Sequence, residues 1–111
     1  MPNNTFTLTG NISKIGHHKD KNDKDFAIIE MATNETYKKD NEDVQTPAIW
    51  HTVKVFAPKA VELSKTLTKG SLITVTGRID YRTHSFDVDG QKHNVKEANL
   101  LCTSLDVLKT H

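Results

Sequence analysis

The sequence predicts an all-β chain: a five-stranded Greek-key barrel with one short helix between the third and fourth strands. Three observations carry this. Apolar residues alternate with a period of two through several separate segments, as half-buried strands require. One short amphipathic stripe of helical period lies in mid-chain. An Asp89-Gly90 pair marks a tight hairpin between the last two strands. With 111 residues, the chain has room for one core, so residues 1–111 are read as a single domain.

The first strand is expected near residues 4–13, where Phe6, Leu8, Gly10 and Ile12 alternate with Thr7, Thr9 and Asn11. Residues 16–25 hold no large apolar side chain and many turn formers, which predicts an exposed loop. Phe26 to Met31 is apolar on both faces apart from Glu30, and the second strand is expected to continue to Tyr37. A polar loop, Lys38 to Thr46, follows.

The third strand, Ile49 to Phe56, is the most informative. Ile49, Val53 and Val55, with His51 between them, form the face a core would take. The opposite face presents Trp50, Thr52, Lys54 and Phe56, two aromatics bracketing a lysine over roughly 20 Å at ~3.3 Å per residue. Pro58 can open a helix near 58–69, with Ala60, Leu63, Ser64 and Leu67 on one stripe and Gly70 just beyond. Leu72 to Ile79 alternates again, and the segments 79–88 and 91–102 flank the Asp89-Gly90 turn. Five strands with a helix after the third is the order of the oligonucleotide-binding (OB) fold.

Composition sets the outer limits. Fifteen basic residues against fourteen acidic ones give a net charge of +1, without the strong basic excess of many DNA-binding domains. The distribution is uneven. Residues 1–43 carry six Lys and eight Asp/Glu, whereas residues 44–111 carry nine Lys/Arg and six Asp/Glu, so a polyanion site should draw on the second half. Nothing approaches the ~18 apolar residues of a spanning helix, and Met1 to Gly10 lacks the pattern of a secretory signal, which predicts a cytoplasmic protein with no membrane contact. The glycosylation-type matches at Asn3, Asn11 and Asn34 are then ordinary surface asparagines. Cys102 is the only cysteine, so neither a disulfide framework nor a thiolate metal cage is available, and it reads as a small apolar residue of the last strand.

Several segments together resemble the bacterial single-stranded DNA-binding protein family. They are Leu8-Thr9-Gly10-Asn11, Ala32-Thr33-Asn34-Glu35-Thr36-Tyr37, Trp50-His51-Thr52-Val53-Lys54-Val55-Phe56, Leu67-Thr68-Lys69-Gly70-Ser71 and Thr74-Val75-Thr76-Gly77-Arg78. The resemblance spans nearly the whole chain and implies an OB barrel that binds single-stranded DNA as a homo-oligomer, a tetramer first and a dimer second. It also implies base-stacking positions. Tyr37 stands where the family has a tryptophan, Trp50 and Phe56 are unchanged, and the fourth platform falls at His84, with Phe86 and Tyr81 close by. The family normally continues into a flexible tail with an acidic tip that recruits replication and repair proteins. Here the sequence stops at Leu108-Lys109-Thr110-His111, so tail-mediated recruitment is not expected.

Sequence-independent binding of single strands needs flat π faces for bases and cations for phosphates, each stacked base contributing ~1–3 kcal/mol. Trp50, Lys54 and Phe56 supply both. The competing reading places these aromatics in a second core or a subunit interface. Lys38, Lys39, Lys54, Arg78, Arg82, Lys92 and Lys96 are candidate phosphate contacts, and Lys54 and Arg78 are favoured because they share the alternating face of the aromatics. His17-His18 with Asp20 lacks a third ligand at metal-site spacing, and no cofactor is expected. His51 reads as a hydrogen-bonded packing residue; the resemblance offers a subunit contact as the second reading. No nucleophile elbow, phosphate loop, catalytic carboxylate pair or zinc signature occurs, which argues against an enzyme. An adaptor of the primosomal type, bridging protein partners on single-stranded DNA, is the alternative.

Overall fold

The structure, a computed structural model, describes residues 3–110; Met1, Pro2 and His111, which belong to the expected domain 1–111, lie outside the described residues. Seven strands and one helix follow in order: β1 (Phe6–Lys19), β2 (Asp25–Thr33), β3 (Thr36–Lys39), β4 (Glu42–Gln45), β5 (Ile49–Val55), α1 (Pro58–Ser64), β6 (Leu72–Val88) and β7 (Gln91–Lys109). Five of them close a barrel in the order β1-β2-β5-β7-β6, and β3 and β4 form a separate hairpin. This is the expected five-stranded barrel with its helix after the third barrel strand. All barrel ladders are antiparallel except β5 with β7, which run parallel through Val53↔Leu100 and Val55↔Cys102.

Closure depends on β1, which changes partners along its length. β1 pairs with β6 from Phe6 to Asn11 and with β2 from Asn11 onward. The bend brings Gly10 so close to β2 that a Cβ would lie 2.0 Å from the Ala32 carbonyl oxygen. Gly77 of β6 is held in the same way, its missing Cβ 1.9 Å from the Leu101 carbonyl oxygen. Neither position has room for a side chain. Inside the barrel, Ile12, Ile29, Met31, Val53, Val55, Ile73 and Val75 are fully enclosed, the inward set of the alternating segments. Helix α1 adds Ala60 and Val61 to this core, and its buried Ser64 hydroxyl donates to the Val61 carbonyl at 2.6 Å and is hydrogen-bonded to His17 of β1 at 3.1 Å.

Several boundaries differ from expectation, each for a tertiary reason. The first strand extends to Lys19, because the polar residues after Gly16 continue the ladder with β2 as far as Lys19↔Asp25. The predicted loop 16–25 is therefore strand at 16–19 and at Asp25, and turn only over residues 20–24. Its turn is held by Asp20, whose carboxylate accepts the backbone N–H groups of Asn22 and Lys24 at 2.8 and 2.9 Å. The second strand ends at Thr33 rather than Tyr37, and most of the predicted loop 38–46 folds as the β3–β4 hairpin. The hairpin turns through Asp40 and Asn41, both at positive φ, as a two-residue primed turn requires. The helix stops at Ser64, and residues 65–67 continue it only as single i→i+3 turns. The segments 72–79 and 79–88 are one uninterrupted strand, and the last strand extends to Lys109 because it pairs along the whole of β6.

The outer halves of β6 and β7 leave the barrel as a two-stranded arm. Every residue from Asp80 to Ala98 is exposed, and Asp89 and Gly90, both at positive φ, close its tip.

Candidate nucleic-acid interface

Cross-strand pairs place side chains on a common face. On the barrel exterior, Ile28, Lys54, Leu101 and Arg78 are successive partners across β2, β5, β7 and β6, so Lys54 and Arg78 lie in one row with two apolar residues between or beside them. Trp50 and Thr52 continue this face along β5, and Trp50 is 65% exposed. Phe56 follows the last ladder residue of β5 and is half exposed. These aromatics are neither core nor enclosed within this chain.

Lys54 is fixed. Its ammonium donates to Oδ1 of Asn99 at 3.0 Å, and Asn99 is itself buried. Around them lies a groove of about 340 Å³ whose walls include Phe26, Phe56, Arg82 and Leu101. Sequence reasoning missed Phe26. Its ring stacks on Phe56 with centroids 5.2 Å apart and planes 23° from parallel, and His18 packs against its other side at 5.4 Å. The signal was available: Phe26, Ile28 and Glu30 alternate with the buried Ala27, Ile29 and Met31, although the run looks apolar on both faces.

The arm sorts the remaining candidates by register. Arg82↔Glu97, His84↔Val95 and Phe86↔His93 are on the side that continues from Arg78. On this side His84 Nε2 lies 2.6 Å from Glu97, and Phe86 stacks on His93 at 5.6 Å. Tyr81↔Ala98 and Asp87↔Lys92 are on the opposite side, where Lys96 sits over the Tyr81 ring at 5.4 Å. Arg78, Arg82, His84 and Phe86 thus share a face with Lys54, whereas Tyr81, Lys92 and Lys96 do not. Tyr37 lies on the β3–β4 hairpin opposite Val44 and is half exposed. That hairpin connects the end of β2 to the start of β5, at the Trp50 end of the face. Lys38 and Lys39 are exposed on the same hairpin, Lys38 alternating with Tyr37 and Lys39 on its side.

Other candidates are placed elsewhere. Ile49, expected in the core, is 61% exposed because β5 begins at the rim where the hairpin joins it. His51 is half-buried, with Nε2 2.9 Å from the Thr33 hydroxyl. His17 and His18 point to opposite sides of β1, the first to Ser64 and the second to Phe26. Among the described residues no group of three His, Cys, Asp or Glu side chains is arranged to hold a metal, and no helix is long and apolar enough to cross a membrane. Cys102 is buried, which pushes its thiol pKa up to about 11. Beside the face, the Lys19 and Lys65 ammonium groups hold the Asp25 carboxyl below its ordinary value, and Glu62 followed by Asp25 raises that of Lys65.

A closed barrel carrying an open, mixed aromatic and basic face beside a protruding β-arm defines an OB-type binding module. The chain belongs to the Single-strand binding protein family, whose model matches residues 3–103. It is 29% identical over 94 residues to a single-stranded DNA-binding protein of Staphylococcus epidermidis, covering 85% of this chain and 69% of the relative. With the single-stranded DNA-binding protein 1 of Streptococcus pyogenes it shares 34% identity over 92 residues, covering 83% and 66%. The chain therefore spans about two thirds of the length of these relatives. Among solved structures, it superimposes on the Plasmodium falciparum SSB in complex with ssDNA with a TM-score of 0.69 at 21% identity, covering 100% and 97% of the two chains. The small single-stranded DNA-binding protein of Streptomyces coelicolor gives 0.71 at 19% identity, covering 96% and 95%. These structural likenesses establish the fold.

Proposed function

We propose that this chain binds single-stranded DNA without sequence preference and protects it during replication, recombination or repair. The observation that carries the reading is the outward face of β5: Trp50 exposed, Lys54 anchored by Asn99, and Phe56 supported by Phe26. Bases stack on Trp50 and Phe56, with Tyr37 and Phe86 as flanking platforms and His84 beside the latter. Lys54, Arg78 and Arg82 take the phosphates along the same face, and Lys38, on the side of the hairpin away from Tyr37, contacts the strand only where it passes over that side. Lys92 belongs to the far side of the arm and contacts only a strand that wraps around it. This stacking-plus-cation chemistry accepts every base because every base has a π face.

The working form is a homo-oligomer in the cytoplasm, a tetramer before a dimer, because one OB domain offers a track of only ~4–16 nucleotides. The family membership and the ssDNA carried by the Plasmodium relative support the ligand; the two bacterial relatives bear names of the same activity. Competition between oligo(dT) and duplex of equal length tests it, with subunit mass from light scattering in parallel. Preference for the single strand is expected, and equal affinity for both at moderate salt would overturn the reading.

A further inference from the structure

A recess of about 520 Å³ lies between the β1–β2 hairpin and the end of α1, bounded by His17, His18, Lys19, Asp25 and Lys65. It lies beyond the face described above, yet two features connect it to that face. The first is the row of rings. From Phe56 at the end of β5, the rings of Phe26 and His18 continue a row of neighbouring rings over two strand spacings, roughly 10 Å, to the lip of the recess. The row has a simple origin in register, since His18 is the direct partner of Phe26 and Ala27 pairs with Val55, one residue before Phe56. Gly16 makes room for it, because a Cβ there would lie 2.9 Å from His18 Nε2.

The second feature is a pair of cations held together from different elements. Lys19 of β1 and Lys65 beyond α1 converge on the Asp25 carboxylate at 2.9 and 3.2 Å. Each ammonium has three N–H groups, so neither is exhausted by its carboxylate partners. The Asp25 carboxylate opposes a phosphate, but it is shared between two cations. Glu62 and Asp23, at 3.2 Å from Lys65 and 3.9 Å from Lys19, pair with them from outside the lining and are largely turned to solvent.

We infer that this recess receives one nucleotide of the bound single strand, its base against the exposed imidazole of His18 and its phosphate on Lys19 and Lys65. The inference rests on the reading of the outer face as a single-strand site. It turns the strand at Phe56 from the direction of β5 across β2 to β1. Phe26 acts as a positioning residue between the two contact rings.

The test uses the full chain and its His18→Ala, Lys65→Ala and doubly substituted variants. Each is titrated with labelled oligo(dT) graded in length across the ~4–16 nucleotides of an OB site. The shortest oligonucleotides should bind all four proteins alike. The affinity that the unsubstituted chain gains as the oligonucleotide lengthens should shrink about five-fold or more in the double variant, the effect of losing one stacked base. Both side chains are exposed, and thermal melts should superimpose. Variants that keep the full gain with length, or that lose the same factor at every length, would overturn the inference. If the unsubstituted chain bound no oligo(dT) at all, the reading of the outer face would fail first.

Discussion

Phe56 and Phe26 stack at 5.2 Å although Phe56 lies beyond the ladder that would otherwise fix it. The contact converts a half-exposed side chain at a strand end into an oriented platform. Holding a ring in place before binding removes part of the ordering cost, about 0.5–1.5 kcal/mol for one immobilised side chain. Phe26→Leu should therefore weaken oligo(dT) binding about two- to ten-fold. Phe56→Ala should lose more, and in the Phe56→Ala background the Phe26 substitution should cost little further. A double-mutant cycle measured by fluorescence anisotropy checks this.

Trp50 has no such brace and stands 65% exposed, so its replacement should separate binding from stability. Trp50→Ala is expected to lose about 1–3 kcal/mol of oligonucleotide affinity. Its melting temperature should stay close to that of the parent, because little buried area is removed. A melt lowered by the ~3–5 kcal/mol typical of a core aromatic would place Trp50 in a core after all.

Lys54, Arg78 and Arg82 share one face, and their contribution is electrostatic. For single strands the logarithm of affinity falls with log salt at about −0.7 per neutralised phosphate. Arg82→Ala should lower affinity for all sequences alike and flatten the slope by about that amount. Lys92→Ala, on the other side of the arm, should change the slope less. Salt titrations of both variants against one oligonucleotide decide the ordering.

Gly77 and Gly10 make a stability prediction independent of DNA. A Cβ at Gly77 would lie 1.9 Å from a backbone oxygen, which the barrel can relieve only by opening β6 from β7. Gly77→Ala should destabilise by at least the ~1–3 kcal/mol of an overpacked core. Gly90→Ala meets open space but a left-handed backbone, so it should cost about 1 kcal/mol through strain alone.

The buried Cys102 thiol adds a pH test. Its pKa is raised from 9.0 to about 11, so the folded state favours the protonated form. That contribution is complete below the unfolded value near 9 and is lost as pH rises toward 11. The pH dependence of melting that Cys102 contributes should appear only above pH 9, and the native thiol should react slowly with disulfide reagents at pH 8. Comparison with Cys102→Ala across pH 8–11 isolates the effect.

Much of the face was legible in the sequence because β5 alternates cleanly, with Val53 and Val55 inward and Trp50, Thr52 and Lys54 outward. The arm was legible as a hairpin from Asp89-Gly90, but which residues share its two sides depends on register. That register places His84 and Phe86 with Arg78 and turns Tyr81 and Lys92 away. Phe26 escaped notice because its strand is apolar on both faces, so alternation carried no contrast. Residues 16–19 looked like loop because they are polar. They form strand because β2 supplies hydrogen-bonding partners, and the strand carries His18 to Phe26. The β3–β4 hairpin is local structure without a core beneath it, which leaves little hydrophobic pattern to read.

Stacking on the β5 face is tested most directly by the intrinsic fluorescence of Trp50, the sole tryptophan, during titration with oligo(dT) and with duplex of the same length. Saturable quenching by oligo(dT) that added salt reverses is expected, with little change on adding duplex. Unchanged Trp50 emission at oligo(dT) concentrations where anisotropy reports a formed complex would contradict it, because the bound strand would then not stack on the exposed face of β5.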